Sequence, residues 1–132
     1  MPVILDGKAT AAAIRSELKE TVATLTSKAG RVPGLAVILV GEDPASQVYV
    51  RFKERACAEI GVNSEAFRLP ASTPQKELMA LIDRLNARED MDGILLQLPL
   101  PNGQESHPFL GRIRPDKDVD GFHPESMGRL SL

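Results

Sequence analysis

The stretch Leu35-Ala36-Val37-Ile38-Leu39-Val40-Gly41-Glu42-Asp43-Pro44 decides the fold. Its first six residues are apolar without alternation and follow Pro33 and Gly34, so they read as a strand buried on both faces. Strands of that kind belong to parallel sheets with helices covering either side. Asp43 then stands where an N-cap is expected and Pro44 at the first helical position. A helix therefore opens there and runs to about Ile60, where Gly61 closes it. A strand passing directly into a crossover-length helix is half of a βαβ unit.

The flanking sequence repeats the pattern. Upstream, Ile14, Leu18, Val22 and Leu25 recur at steps of three and four, which predicts a helix over Ala9 to Lys28 with one buried stripe, ended by Gly30. Downstream, Val62 to Leu69 reads as a second, weaker strand. Ser72-Thr73-Pro74-Gln75 starts a helix whose apolar face is Leu78, Leu81, Ile82 and Leu85, and Gly93 to Leu98 adds a third strand. A short opening strand at Val3 to Leu5 fits the same scheme. The alternation predicts an α/β fold, a three-layer α/β/α domain with a small, mostly parallel sheet and right-handed βαβ crossovers. Beyond Pro99 the pattern loosens into loops, with Pro101, Pro108, Pro115 and Pro124 breaking any long helix. No repeat, low-complexity tract or linker divides the chain, so residues 1–132 read as one domain.

Composition narrows the function. Apolar residues make up 42% and charged residues 26%, values that argue against disorder or a fibrous repeat. A formal net charge of -2, without a basic stripe, makes nucleic acid an unexpected partner. Neither a secretory h-region nor a run of ~18 apolar residues is present, so the cytoplasm is expected and a membrane partner is not. Cys57 is the only cysteine, which excludes an intrachain disulfide and a cysteine-cluster metal site. Its helical setting suits a small buried residue.

In an open parallel sheet, ligands bind at the carboxyl ends of the strands. Strand 35–40 delivers a helix carrying Tyr49 and Lys53, neighbours on one face, and strand 93–98 delivers Gln97 to the same rim. A lysine on a helix is ordinarily a solvated surface group. Lys53, however, has Tyr49, Val50, Ala56 and Cys57 as its helical neighbours and so lacks an intrahelical carboxylate. A rim lysine that shuttles protons must be partly desolvated, because an ordinary ammonium is neutral in only about one molecule in 2,500 at pH 7. Tyr49 and Gln97 are the right kinds of neighbour, although Tyr49 also fits a core aromatic and Gln97 a satisfied structural amide. Asp116-Lys117-Asp118-Val119-Asp120-Gly121 has the start of a calcium loop. The loop fails because Met127 stands where the bidentate Glu is required and Pro124 interrupts it, so no metal is expected. His107 and His123 fall in loops. No Gly-rich nucleotide motif, zinc-protease helix or nucleophile elbow occurs.

Four segments in order resemble the methylenetetrahydrofolate dehydrogenase/cyclohydrolase family, specifically its N-terminal catalytic, folate-binding domain. They are Ile4-Leu5-Asp6-Gly7-Lys8; Val40-Gly41-Glu42-Asp43-Pro44-Ala45-Ser46 leading into Tyr49-Val50-Arg51-Phe52-Lys53; Asp92-Gly93-Ile94-Leu95-Leu96-Gln97-Leu98-Pro99-Leu100-Pro101; and Pro115-Asp116-Lys117-Asp118-Val119-Asp120-Gly121-Phe122. The resemblance implies Lys53 as the central catalytic group of the cyclohydrolase step. It further implies Tyr49 stacking on the aromatic middle of the folate, Gln97 holding the lysine and tuning its proton affinity, and Asp120 recognising the pterin edge. Leu96, Leu98 and Pro99 complete the implied substrate contacts.

The implied reactions are oxidation of 5,10-methylenetetrahydrofolate by hydride transfer to NADP, then hydrolysis of the methenyl product to 10-formyltetrahydrofolate. A homodimer is also implied. Relatives continue past the Gly128-Arg129-Leu130 seen here into a Rossmann-type NADP domain, which these residues do not contain. The dehydrogenase step is therefore expected only of the intact protein.

Overall fold

The computed structural model describes residues 7–119. The opening strand expected at Val3 to Leu5, and Asp120, His123 and Pro124, lie outside the described residues. Strand β1 (Gly34–Val40) is central, with β2 (Asn63–Leu69) on one side and β3 (Gly93–Leu96) on the other, both parallel to it. Helix α1 (Gly7–Ala29) precedes β1, α2 (Pro44–Ile60) joins β1 to β2, α3 (Gln75–Ala87) joins β2 to β3, and the short α4 (His107–Arg112) follows.

Alternate residues of β1 face opposite sides of the sheet, which builds the three layers. Ala36, Ile38 and Val40 pack with Leu78, Leu81, Ile82 and Leu85 of α3, with Ile94 and Leu96 of β3, and with Phe109 and Ile113. Val37 and Leu39 pack with Leu95 and with Val50 of α2 on the other face. Burying one Leu or Ile side chain is worth about 1.5–3 kcal/mol, so the larger α3 side supplies most of the hydrophobic stabilisation. The local signals at α2 act as expected. The Asp43 carboxylate accepts the Ser46 N–H at 2.9 Å, and Gly61, at φ 87°, closes the helix by donating its N–H to the Cys57 carbonyl.

Three expectations need correction. Strand β3 stops at Leu96 rather than Leu98. Gln97 still donates its N–H to the Ile38 carbonyl at 2.9 Å, but Pro99 has no N–H to continue a ladder. The Leu98–Pro99 peptide is cis. Along α1, Val22 is 9% exposed whereas Leu18 and Leu25 are 44% and 50% exposed, so from Leu18 to Leu25 the stripe is buried at Val22 and open on either side. Val22 lies against Gly61 at the end of α2, where a Cβ would stand 3.5 Å from the Val22 Cγ1, an ordinary van der Waals contact. Finally, the C-terminal prolines start helices as well as breaking them. Pro101 and Pro115 open 3-10 turns and Pro108 lies in the first turn of α4, where the missing N–H costs nothing. His107 is thus the first residue of a helix, not a loop residue. Among the described residues no helix is long and apolar enough to cross a membrane.

Candidate active site

The order β2-β1-β3 means that the chain leaves β1 towards β2, then returns across to β3. The connections from β1 and β3 therefore diverge at their carboxyl ends and leave a crevice, the topological switch point at which open α/β sheets bind ligands. Helix α2 supplies one wall, and the residues following Leu96 supply the other.

Lys53 and Gln97 meet across this crevice. The Lys53 Nζ donates to the Gln97 Oε1 at 2.8 Å, and the Gln97 amide nitrogen lies 3.4 Å from the Leu98 carbonyl oxygen. Both side chains are half-buried. Accepting from the lysine fixes which way the amide faces, since an ammonium or amine N–H needs the oxygen. Tyr49 lies one helical turn before Lys53 with 58% of its surface exposed, so its ring is not a core aromatic and is free to meet a planar ligand.

A buried serine joins the two walls. Ser46 is 1% exposed; its hydroxyl donates to the Asp43 carboxylate at 2.9 Å and lies 3.4 Å from the Leu98 carbonyl. The first turn of α2 is thereby anchored to the loop that carries Gln97. The remaining expected contacts are placed unevenly. Leu96 is 2% exposed within the α3-side core, so only its backbone is available at the rim. Leu98 is half-buried against the same core, Pro99 is exposed, and Asp120 is outside the described residues.

Sequence reasoning passed over Lys117. It is 7% exposed, and its ammonium donates to the carbonyls of Leu85, Asn86 and Arg88 at 3.2, 2.9 and 2.7 Å. Those carbonyls lie at and just past the end of α3, where helical pairing runs out; that of Leu85 also accepts the Arg88 N–H at 3.2 Å. Burial, with Arg114 nearby, pushes the lysine below its usual range, while the carboxylates of Asp116, Asp92 and Asp90 act in the opposite sense. Asn86 ties down the same segment, donating to the Arg112 carbonyl at 2.9 Å and accepting the Arg114 N–H at 3.0 Å. Asp118 then forms a parallel bridge to Ile94. No local signal marks Lys117, because its acceptors lie about thirty residues earlier in the chain.

Cys57 is buried, and desolvation, with Glu54 adding to it, pushes its thiol above the usual range, as suits an inert core residue. A groove of about 700 Å³ lies elsewhere, lined by Phe67 and Leu69 of β2 and by Leu81, Arg84 and Leu85 of α3. It is on the β2 side of β1, away from Lys53 and Gln97.

The model of a family described as tetrahydrofolate dehydrogenase/cyclohydrolase, catalytic domain, matches residues 5–120. A bifunctional protein FolD from Nitratidesulfovibrio vulgaris (strain DSM 19637 / Miyazaki F) is 72% identical over 130 residues, which are 98% of this chain and 45% of the relative. One from Oleidesulfovibrio alaskensis is 67% identical, over 98% of this chain and 46% of the relative. Among solved structures, the bifunctional FolD methylenetetrahydrofolate dehydrogenase/cyclohydrolase from Campylobacter jejuni superposes with a TM-score of 0.90 at 50% identity, covering 97% of this chain and 45% of that one. The Trypanosoma brucei enzyme, solved with NADP cofactor and inhibitor, gives a TM-score of 0.88 at 40% identity, over 96% and 43% of the two chains. The chain spans a little under half the length of these relatives.

Proposed function

The chain belongs to the tetrahydrofolate dehydrogenase/cyclohydrolase family, and from that premise we propose that it is the folate-binding catalytic half of a bifunctional enzyme of one-carbon metabolism. The intact protein oxidises 5,10-methylenetetrahydrofolate to 5,10-methenyltetrahydrofolate and hydrolyses that product to 10-formyltetrahydrofolate. The observation that carries this is the Lys53–Gln97 hydrogen bond of 2.8 Å at the switch point, beside the exposed ring of Tyr49.

Hydrolysis is the step that uses these residues. Water adds to the cationic methenyl carbon and loses a proton; the bond from that carbon to N5 then breaks as N5 gains one, and the remaining hydroxyl becomes the formyl C=O by releasing its proton to solvent. A neutral amine at Lys53 Nζ serves both transfers. One N–H donated to Gln97 Oε1 holds the nitrogen in place while its lone pair faces the crevice, accepting the proton from water and returning it to N5. Tyr49 stacks on the flat aminobenzoyl part of the folate and sets its depth. Asp120, next in sequence after Val119, accepts from the amino-pterin edge, a carboxylate being suited to paired N–H donors.

The oxidation makes different demands. The turn from β1 into α2 does not suit a dinucleotide: Gly41 is followed by Glu42 and Asp43, and the Asp43 carboxylate already occupies the first turn of the helix, where a pyrophosphate would sit. The NADP site therefore belongs to the remainder of the intact protein, a Rossmann-type domain, and these residues contribute only the position of the folate. NADP has its support in the Trypanosoma brucei relative, which was solved with it. On the same reading the enzyme is a cytoplasmic homodimer whose product feeds purine biosynthesis.

Lys53→Met in the intact protein tests the proposal. Hydrolysis of methenyltetrahydrofolate is lost while folding, by circular dichroism, and folate binding, by calorimetry, remain. Retention of hydrolysis would remove Lys53 from the mechanism.

A further inference from the structure

Lys117 is a charged side chain in a place where charge is costly. An ammonium that is 7% exposed persists only where its donors are satisfied, and the three carbonyls at the end of α3 satisfy them. A helix end can be capped by water or by a terminal glycine, so capping alone does not require a lysine from a distant loop. What the lysine achieves in addition is to fix that loop.

Its immediate neighbours show the direction. Asp118 bridges to Ile94 in parallel, so the chain leaving Lys117 runs the same way as β3, towards the carboxyl rim where Gln97 meets Lys53. The next residue, Val119, packs so close to β3 that a Cβ placed on Gly93 would lie 2.4 Å from its Cγ1. Gly93 is thus the gap that admits the segment, and Lys117 with Asn86 is the anchor that holds it there. Asp120 follows Val119 in the sequence.

From this geometry we infer that Lys117 is a positioning residue for the folate site: by tying residues 115–119 to the end of α3 it sets the point from which Asp120 reaches the pterin. The inference rests on the role proposed above for Asp120. It assigns to the lysine of the Lys-Asp-Val-Asp-Gly segment a part in substrate affinity and none in the proton transfers, since its ammonium is committed to backbone carbonyls.

The test is a double-mutant cycle in the intact protein, read by cyclohydrolase kinetics. Lys117→Met raises KM for methenyltetrahydrofolate about tenfold with kcat within about threefold, the pattern of lost binding rather than lost chemistry. Asp120→Asn raises KM by a similar or larger factor. Because Lys117 acts through Asp120, the double variant is no worse than Asp120→Asn alone, whereas a purely structural lysine gives multiplicative effects. Asn86→Ala loosens the same anchor from the surface without emptying a buried site, and raises KM in the same direction. It decides the question if Lys117→Met does not fold. An unchanged KM in the folded variants of Lys117 and Asn86, while Asp120→Asn raises it, overturns the positioning role alone. An unchanged KM in Asp120→Asn overturns the pterin role and this inference with it.

Discussion

Gln97→Glu is the most informative single change, because it alters one atom and leaves the shape of the site intact. The Lys53 nitrogen is 2.8 Å from Gln97 Oε1, so the substitution puts a carboxylate oxygen where the amide oxygen was. At that separation two unit charges attract by about 6 kcal/mol at an effective dielectric of ~20. Both side chains are only half-buried, and solvent screens much of this, leaving a quarter to a half of it, about 1.5–3 kcal/mol. A carboxylate holds the cationic side chain more tightly than the amide does and so opposes, by that energy, any step that needs the nitrogen's lone pair. Hydrolysis near pH 7 is expected to fall by the corresponding factor, roughly 10- to 100-fold.

The assay follows both reactions of the intact protein side by side at about pH 7. Hydrolysis falls by that factor, while oxidation of methylenetetrahydrofolate, which needs positioning more than proton transfer, changes less than about threefold. Unchanged hydrolysis refutes the coupling of Gln97 to Lys53. Parallel loss of both activities refutes it too, since that reports damage to folate binding.

Asp43→Ala removes an N-cap worth about 1 kcal/mol and leaves the buried Ser46 hydroxyl with its weaker contact to Leu98, costing about 1 kcal/mol more. A Tm lowered by about 8 °C is expected in a thermal melt, and a change under about 2 °C would show that the cap is not engaged. Arg112, Arg88 and Arg31 hold the carboxyls of Asp83, Asp90 and Asp92 below the usual carboxylate range. The stability they contribute is complete above the unfolded value of ~3.9 and is lost as pH falls through the lower folded values, so Tm should stay level from about pH 7 to about pH 5 and drop below about pH 4. A decline beginning above about pH 5 would point to other groups. Cys57, buried with its thiol pushed upward, reacts with iodoacetamide at about pH 8 at least roughly tenfold more slowly in the folded protein than after unfolding; equal rates would contradict its burial.

The parts of the fold readable in the sequence are those whose causes are local. The six apolar residues from Leu35 to Val40 occupy a strand with both faces covered, and Asp43, Pro44 and Gly61 bound a helix within a few residues of themselves. The misplacements arise where a distant partner decides. The periodicity of Leu18, Val22 and Leu25 shows that α1 has an apolar stripe, but what covers that stripe depends on which turn of α1 meets the distant end of α2, here the one bearing Val22. Lys117 looks like a surface lysine until the end of α3 is folded against it. Among the candidate site residues, Tyr49 and Lys53 share a face by helical spacing alone, whereas Leu96 has its side chain in the core because β3 presents it to α3.

That contrast explains why a site built from two distant segments could be anticipated. Lys53 and Gln97 are 44 residues apart, yet each is placed relative to β1 by a short, rigid connection. Helix α2 starts at Pro44, four residues beyond the end of β1 at Val40, so the turn on which Lys53 lies is set by the cap at Asp43. Gln97 donates its backbone N–H to Ile38, so its height along the sheet is set by a rung of the β1 ladder. Ser46 then joins the two connections through the Leu98 carbonyl. The 2.8 Å contact is thus the meeting point of two local registers referred to one strand, and shifting either register breaks it without touching Lys53 or Gln97. A helix lengthened by one residue between Asp43 and Tyr49 turns Lys53 by about 100° away from the crevice. Hydrolysis is then lost as completely as in Lys53→Met, although every catalytic side chain is still present.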